Sequence, residues 1–173
     1  MELQTSCPSG ERLMPSMRRP AVSARFNQVA IALILLCTAL VYLPGLQGPL
    51  LFDDRPNLTD NQLLHIDGTV AEDWRTAMLS SGAGLLRRPV SMLSFAINYV
   101  AAGEFSPVAL KATNVAIHLL VGLLIYWLAS HLARAPALPP TSARRANWLA
   151  LAAMAIWLLH PLHVSTVLYA VQR

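Results

Sequence analysis

A chain of 173 residues that is 55% hydrophobic and only 13% charged is too apolar for an ordinary soluble domain. Its net charge of +4 does not point to nucleic acid, because the basic residues gather in two short patches flanking apolar spans, a pattern of membrane topology. Two cysteines, Cys7 in a polar stretch and Cys37 inside an apolar run, imply no disulfide framework, and twelve prolines break the chain into several segments.

Residues 1–26 are polar and carry Arg12, Arg18, Arg19 and Arg25 against Glu2 and Glu11. They read as a disordered cytoplasmic tail. Residues 27–46 form a first apolar span of the roughly 20 residues that a bilayer crossing needs. Arginines before the span place the amino terminus inside, as in a signal anchor. A cleaved signal peptide is the competing reading, but the preceding tail is long for one and no clean small-x-small site follows. Residues 47–106 then form a large outer loop holding Asp53, Asp54, Asp60, Asp67, Glu72, Asp73 and Glu104. Within it, Asn57-Leu58-Thr59 matches a glycosylation sequon. Residues 69–78 suit a short helix with Trp74 on an interfacial face, and Ser80-Ser81-Gly82-Ala83-Gly84 is a flexible break. Arg87-Arg88-Pro89 opens another helix, with Pro89 suited to its first turn. Residues 90–102 are too short to span and suit a helix in the interface or buried against other helices. Arg87 and Arg88 either pair with a lipid phosphate or carboxylates, or snorkel at the membrane surface.

Residues 107–132 predict a second span. Lys111, Asn114 and His118 are spaced to share one helical face near its outer end. Such a polar stripe faces protein or a water-filled cavity, or makes helix-to-helix hydrogen bonds. Residues 133–146 carry Arg134, Arg144 and Arg145 and no acid, so this loop is cytoplasmic and agrees with the orientation of the first span. Residues 147–173 predict a third transmembrane helix, lengthened by snorkelling of Arg144 and Arg145 and broken near His160-Pro161, followed by an outer segment. The fold class is an all-α membrane protein with about three transmembrane helices and interfacial helices in the outer loop.

Two adjacent carboxylates beside a bilayer need partners or a task, which draws attention to Asp53 and Asp54. Taken alone, the stretch reads more readily as a solvated turn before Pro56 than as a catalytic or cation-binding pair. The topology changes that balance. It gathers Asp53, Asp54, Arg87, Arg88, Lys111, Asn114, His160, His163 and Arg173 at one membrane face. There an Asp can take a proton from an acceptor hydroxyl, while Arg or Lys offsets charge on a leaving phosphate. His160 and His163 with the Asp pair are an alternative site for a divalent metal, although His-Pro-x-His across a helix break is a weak signal. No residue is assigned as a metal ligand, and a divalent metal is the one cofactor the sequence leaves open.

Three patches resemble the amino-terminal part of the GT-C membrane glycosyltransferases that carry tetratricopeptide repeats, the protein O-mannosyltransferase-like group. They are Phe52-Asp53-Asp54 with Asn57; the run from Arg88 to Tyr99 continuing through Leu110 to Leu120; and the run from Trp157 through His160, His163 and Tyr169 to Arg173. The resemblance implies a partial GT-C fold, a polyprenyl-phosphate sugar donor, a protein acceptor, and transfer outside the cytoplasmic (inner) membrane. It implies that Asp53 or Asp54 is the catalytic base, with Arg88, His160, His163 and Arg173 contacting the donor phosphate or shaping the site. Members of the group continue with many more spans and usually a repeat domain, and no such repeat is visible here. The chain therefore reads as a piece that is inactive alone, its missing helices supplied by a longer product or a partner chain. The alternative is a non-catalytic three-span membrane protein that binds a lipid or a partner protein.

Overall fold

The computed structural model describes residues 21–82, 87–135 and 142–173, and every described regular element is helical. The expected tail over residues 1–20, the break at Ala83 and Gly84, and residues 136–141 of the expected cytoplasmic loop lie outside the described residues. Helix α1 (Ala21–Tyr42) begins six residues earlier than the composition suggested, within the stretch expected to be tail. It runs on into a 3-10 turn, Leu43–Gln47, where Pro44 lacks the N–H needed to continue an α-helix. A π-helical turn (Arg55–Thr59) and a 3-10 turn (Gln62–Leu64) precede α2 (Ala71–Met78). Then come α3 (Pro89–Ala102), α4 (Pro107–Leu132), α5 (Ala143–Leu158), α6 (His163–Leu168) and a last turn, Ala170–Gln172. Gly103, at φ 75°, ends α3 in the left-handed region and donates its N–H to Tyr99 O at 2.7 Å.

Two of these helices are long and apolar enough to cross a membrane: Arg25–Gln47, which is α1 with its following turn, and α4. Only 11% of the most apolar stretch of the first and 33% of that of the second is buried. Leu33, Leu36 and Leu40 of α1 and Leu120, Leu124 and Leu128 of α4 stand exposed. Apolar surface of this extent is stable against lipid and not against water, so this is a membrane protein. Helix α5 (Ala143–Leu158) ends beside the break expected at His160-Pro161 and is shorter than a full crossing. It has 16 residues, about 24 Å at the helical rise, and Pro161 stops it from continuing through His160.

Helices α1, α4 and α5 form a bundle. At one end Phe26 meets Trp148 with ring centroids 5.4 Å apart, and Arg134 hydrogen-bonds Asn147. At the other end Tyr42 meets His118 edge-on at 5.5 Å, and His118 Nε2 lies 3.1 Å from Leu158 O. Thus α1 and α5 run together and α4 runs against them. Ala146, Ala150, Met154 and Leu158, spaced four apart, bury one face of α5. Gly122 lets the backbones close in: a Cβ there would lie 2.6 Å from the Leu158 side chain.

Residues 47–106 do not lie loosely on a surface. The described ones fold into a small lobe over the end of the bundle where Tyr42 and His118 meet. Its core holds Leu58, Leu64, Ile66, Ala77, Met92, Phe95 and Ala96, and Leu110 and Ala170 join it from below. Trp74, expected on an interfacial face, instead packs against this core and donates its indole N–H to Gly68 O at 3.1 Å. Helix α3 buries Met92, Phe95 and Ala96 here and leaves Val90, Ile97 and Val100 exposed.

Replacing Gly122 by Val is expected to lower stability by about 1–3 kcal/mol through overpacking against Leu158, read from thermal unfolding in detergent. An unchanged midpoint would mean that α4 and α5 do not pack this closely.

Candidate functional site

The two neighbouring acids have opposite surroundings. Asp54 is fully buried. Its Oδ1 accepts from Val171 N at 2.8 Å and its Oδ2 from Leu51 N at 3.0 Å. A carboxylate removed from water needs such donors, and both of its oxygens have one. Asp53 is exposed. Its own N–H donates to Tyr169 Oη at 3.0 Å, and its carbonyl accepts from Asn57 Nδ2 at 2.8 Å and Asn57 N at 3.2 Å. Among the described residues its carboxylate accepts no hydrogen bond and forms no ion pair. Phe52, just before the pair, sits at φ 44°, in the left-handed region that an aromatic residue seldom adopts.

Two polar residues of the helix stripe, Lys111 and Asn114, and the segment 167–173 tie this region together. Lys111, 3% exposed, donates Nζ to Gly48 O at 2.6 Å, Pro49 O at 3.2 Å and Gly45 O at 3.4 Å, with the Asp54 charge attracting it. Buried Asn114 donates Nδ2 to Val167 O at 3.1 Å and to Ala170 O at 3.4 Å. Its Oδ1 accepts from Arg173 Nε at 2.7 Å. Arg173 also donates to Ser94 Oγ at 3.0 Å, Asn98 Oδ1 at 2.7 Å and Leu110 O at 2.9 Å, and lies 4.6 Å from the Phe95 ring centre. Burial pushes Arg173 down to about 10, still far above neutral pH, so it stays charged. All these hydrogen bonds run to neutral oxygens, and among the described residues it meets no Asp or Glu.

Arg88, at φ 44°, donates Nη2 to Val171 O and Arg173 O, each at 2.9 Å. Arg87 stands apart, with Nη1 3.4 Å from Leu79 O. His160 is exposed and its Nδ1 accepts from Leu162 N at 3.3 Å. His163 lies 4.3 Å from Trp157, 5.4 Å from His118 and 5.9 Å from His160 between ring centres. Desolvation, then repulsion from His118 and His160, holds His163 below the ordinary histidine value, so it is neutral at pH 7. Among the described residues no three His, Cys, Asp or Glu side chains converge as ligands. The sequence alternative that joined His160 and His163 to the Asp pair around a divalent ion is therefore not met: Asp54 spends both oxygens on backbone N–H groups.

A cavity of about 200 Å³ opens beside this knot, with Asn114, His163 and Arg173 on its polar side and Ile117, Val121 and Trp157 on its apolar side. A second, of about 340 Å³, shares Trp157 and His163 and is walled by Ile125, Ala153 and Ile156. So the structure brings together Asp54, Arg88, Asn114 and Arg173 around residues 167–173, and sets His160 and His163 beside Trp157. Sequence reasoning missed the roles of Tyr169, Ser94 and Asn98. All three carried a signal, since each lies in a patch shared with the resembled group.

The chain is similar to known proteins over nearly all its length. It is 30% identical over 167 residues, 92% of the chain, to the protein O-mannosyl-transferase Tmtc1 of Drosophila melanogaster. It is 27% identical over 172 residues, 94% of the chain, to the protein O-mannosyl-transferase TMTC4 of Homo sapiens. The TMTC4 of Mus musculus is 29% identical over 96 residues, 53% of the chain. These matches cover 18%, 22% and 12% of the relatives, so the chain spans about a fifth or less of the curated relatives it matches. No family model and no solved structure matches it.

Asp54→Asn replaces an acceptor oxygen with an NH₂ group facing a backbone N–H and is expected to cost about 2–3 kcal/mol in detergent unfolding, whereas exposed Asp53→Asn stays within about 0.5 kcal/mol. Equal losses would remove the distinction between the two acids. His163, followed by imidazole NMR titration, is expected to titrate below the ordinary histidine value of about 6.5. His160→Gln should move that midpoint partly back up; no movement would leave desolvation and His118 as its causes.

Proposed function

We propose that this chain, a relative of the protein O-mannosyl-transferases, is the amino-terminal module of a membrane glycosyltransferase. In this reading the enzyme moves a sugar from a polyprenyl-phosphate donor to a protein hydroxyl outside the cytoplasmic (inner) membrane. The observation that carries it is Asp53: an exposed carboxylate, unpaired among the described residues, whose backbone N–H and carbonyl are both held. Such a group can take the proton of an acceptor hydroxyl as that oxygen attacks the sugar carbon and the bond to the lipid phosphate breaks. Asp54 is then the structural member of the pair.

The half-buried Arg173 supports a phosphate seat in the adjoining cavity. Its charge is balanced by neutral oxygens alone, in a wall whose other side is apolar, and an anionic head with a hydrocarbon tail suits both. His163 shares that wall, and exposed His160 lies next to it in the second cavity. Arg88, Lys111 and Asn114 shape the site through the backbone they hold, and Arg87 lies at its margin.

Helix α5 is the third span in this reading. It runs antiparallel along α4, and Arg144 and Arg145 in its first turn can reach the opposite interface from a short helix. The amino terminus is then inside. The helices needed to enclose a lipid donor and a protein acceptor come from further sequence or from a partner chain, in keeping with the small share of its relatives that the chain covers.

The test is sugar transfer in native membranes by the whole gene product, whose mass this reading places well above 18.8 kDa. Asp53→Asn is expected to reduce transfer by about 10²- to 10⁴-fold with normal membrane yield. Normal transfer by that variant would sink the assignment of the base. A product of about 18.8 kDa with no partner chain would favour a non-catalytic protein that binds a lipid or another protein.

A further inference from the structure

We infer that Tyr169 and Asn57 are positioning residues for the Asp53 carboxylate, an inference that rests on the reading of Asp53 as base. An exposed loop residue ordinarily leaves its peptide groups to water. Asp53 does not. Tyr169 Oη reaches it across 116 positions of sequence to accept its N–H at 3.0 Å. From the other side Asn57 takes its carbonyl twice, through Nδ2 at 2.8 Å and through its own N–H at 3.2 Å. Two side chains are thus committed to the backbone of one residue whose carboxylate is left exposed.

The residue before it carries the second observation. Phe52 holds φ 44° while 83% exposed, so no burial of its ring offsets the cost of that conformation. Its ring instead meets Tyr169 edge-on, with centroids 6.5 Å apart. Tyr169 therefore contacts both residues at the point where the chain turns to leave Asp53 outside and Asp54 buried.

Tyr169 is itself referenced to the bundle. Its N–H donates to Ser165 O at 3.0 Å, and its successors Ala170 and Val171 are buried, with Val171 on Asp54 and Ala170 O on Asn114. The same short segment continues to Arg173, which lines the cavity. The base and the cavity wall thus share one frame, and the hydroxyl of Tyr169 transmits the position of one to the other. Reaction rates are steep in such placement: an error of about 1 Å can cost about 100-fold.

Tyr169→Phe keeps the ring and its edge contact with Phe52 and removes only the acceptor oxygen. In the native membrane-bound gene product it is expected to lower kcat about 10- to 100-fold. KM for donor and acceptor should stay within about twofold, the acidic limb of the pH–rate profile should keep its midpoint, and membrane yield should be unchanged. Asp53→Asn is assayed beside it. If Asp53→Asn is inactive and Tyr169→Phe turns over like the parent, or changes KM alone, the positioning role is overturned and the base assignment stands. If Asp53→Asn transfers normally, the base assignment itself fails. Should Tyr169→Phe reduce yield, Asn57→Ala decides, because it leaves residues 169–173 untouched: a fall in kcat at constant KM supports the inference, and an unchanged kcat overturns it.

Discussion

A carboxylate taken fully out of water governs how this molecule is put together. Asp54 has one oxygen on Leu51 N, three residues away, and the other on Val171 N, 117 residues away. Neither bond can be given up without leaving charge or a donor unsatisfied in the interior, so the lobe before α4 and the segment after α6 behave as one unit. The other buried polar groups repeat the theme. Lys111 answers three carbonyls of residues 45–49, and Asn114 answers carbonyls of residues 167 and 170 while accepting from Arg173. Polar side chains of the helix stripe thus serve irregular backbone, which in a membrane setting must find its partners within the protein.

This arrangement separates two acids that are chemically equivalent in the chain. One is spent on structure and the other is displayed. The separation comes from burial and geometry: Phe52 adopts a left-handed conformation, Asp54 turns into the knot, and Asp53 is held by its backbone alone. The cavity beside the knot is walled by the same residues that close it, above all Asn114 and Arg173. Packing of the lobe and placement of the candidate site are therefore one problem, and a change that loosens residues 169–173 touches both.

Much of the scaffold was legible. The first two spans announce themselves through uninterrupted apolar composition, and α1 and α4 follow it, although α1 begins at Ala21 because helix formation does not stop where hydropathy does. The break expected at His160-Pro161 is where α5 stops, at Leu158, which leaves a helix of 16 residues. The packing of Trp74 was hidden. An aromatic residue in a short amphipathic helix faces a membrane or a core with equal ease, and the choice depends on whether Leu58, Leu64 and Phe95 are there to meet it. The resemblance to O-mannosyltransferases was carried by short patches, and the similarity to Tmtc1 and TMTC4 extends over nearly the whole chain.

By itself the sequence determined the helical class, the membrane setting, the acidic stretch between the first two apolar spans and the set of residues from which a site can be made. These are properties of composition, spacing and flanking charge, which act locally. Only the tertiary structure decided which of Asp53 and Asp54 is buried, that Arg173 closes on Ser94, Asn98 and Asn114, and that Tyr169 holds residue 53. The physical reason is that those bonds join residues some 60 to 117 positions apart. No periodicity records such pairs, because each forms only once the helices have packed and water has been excluded from the space between them.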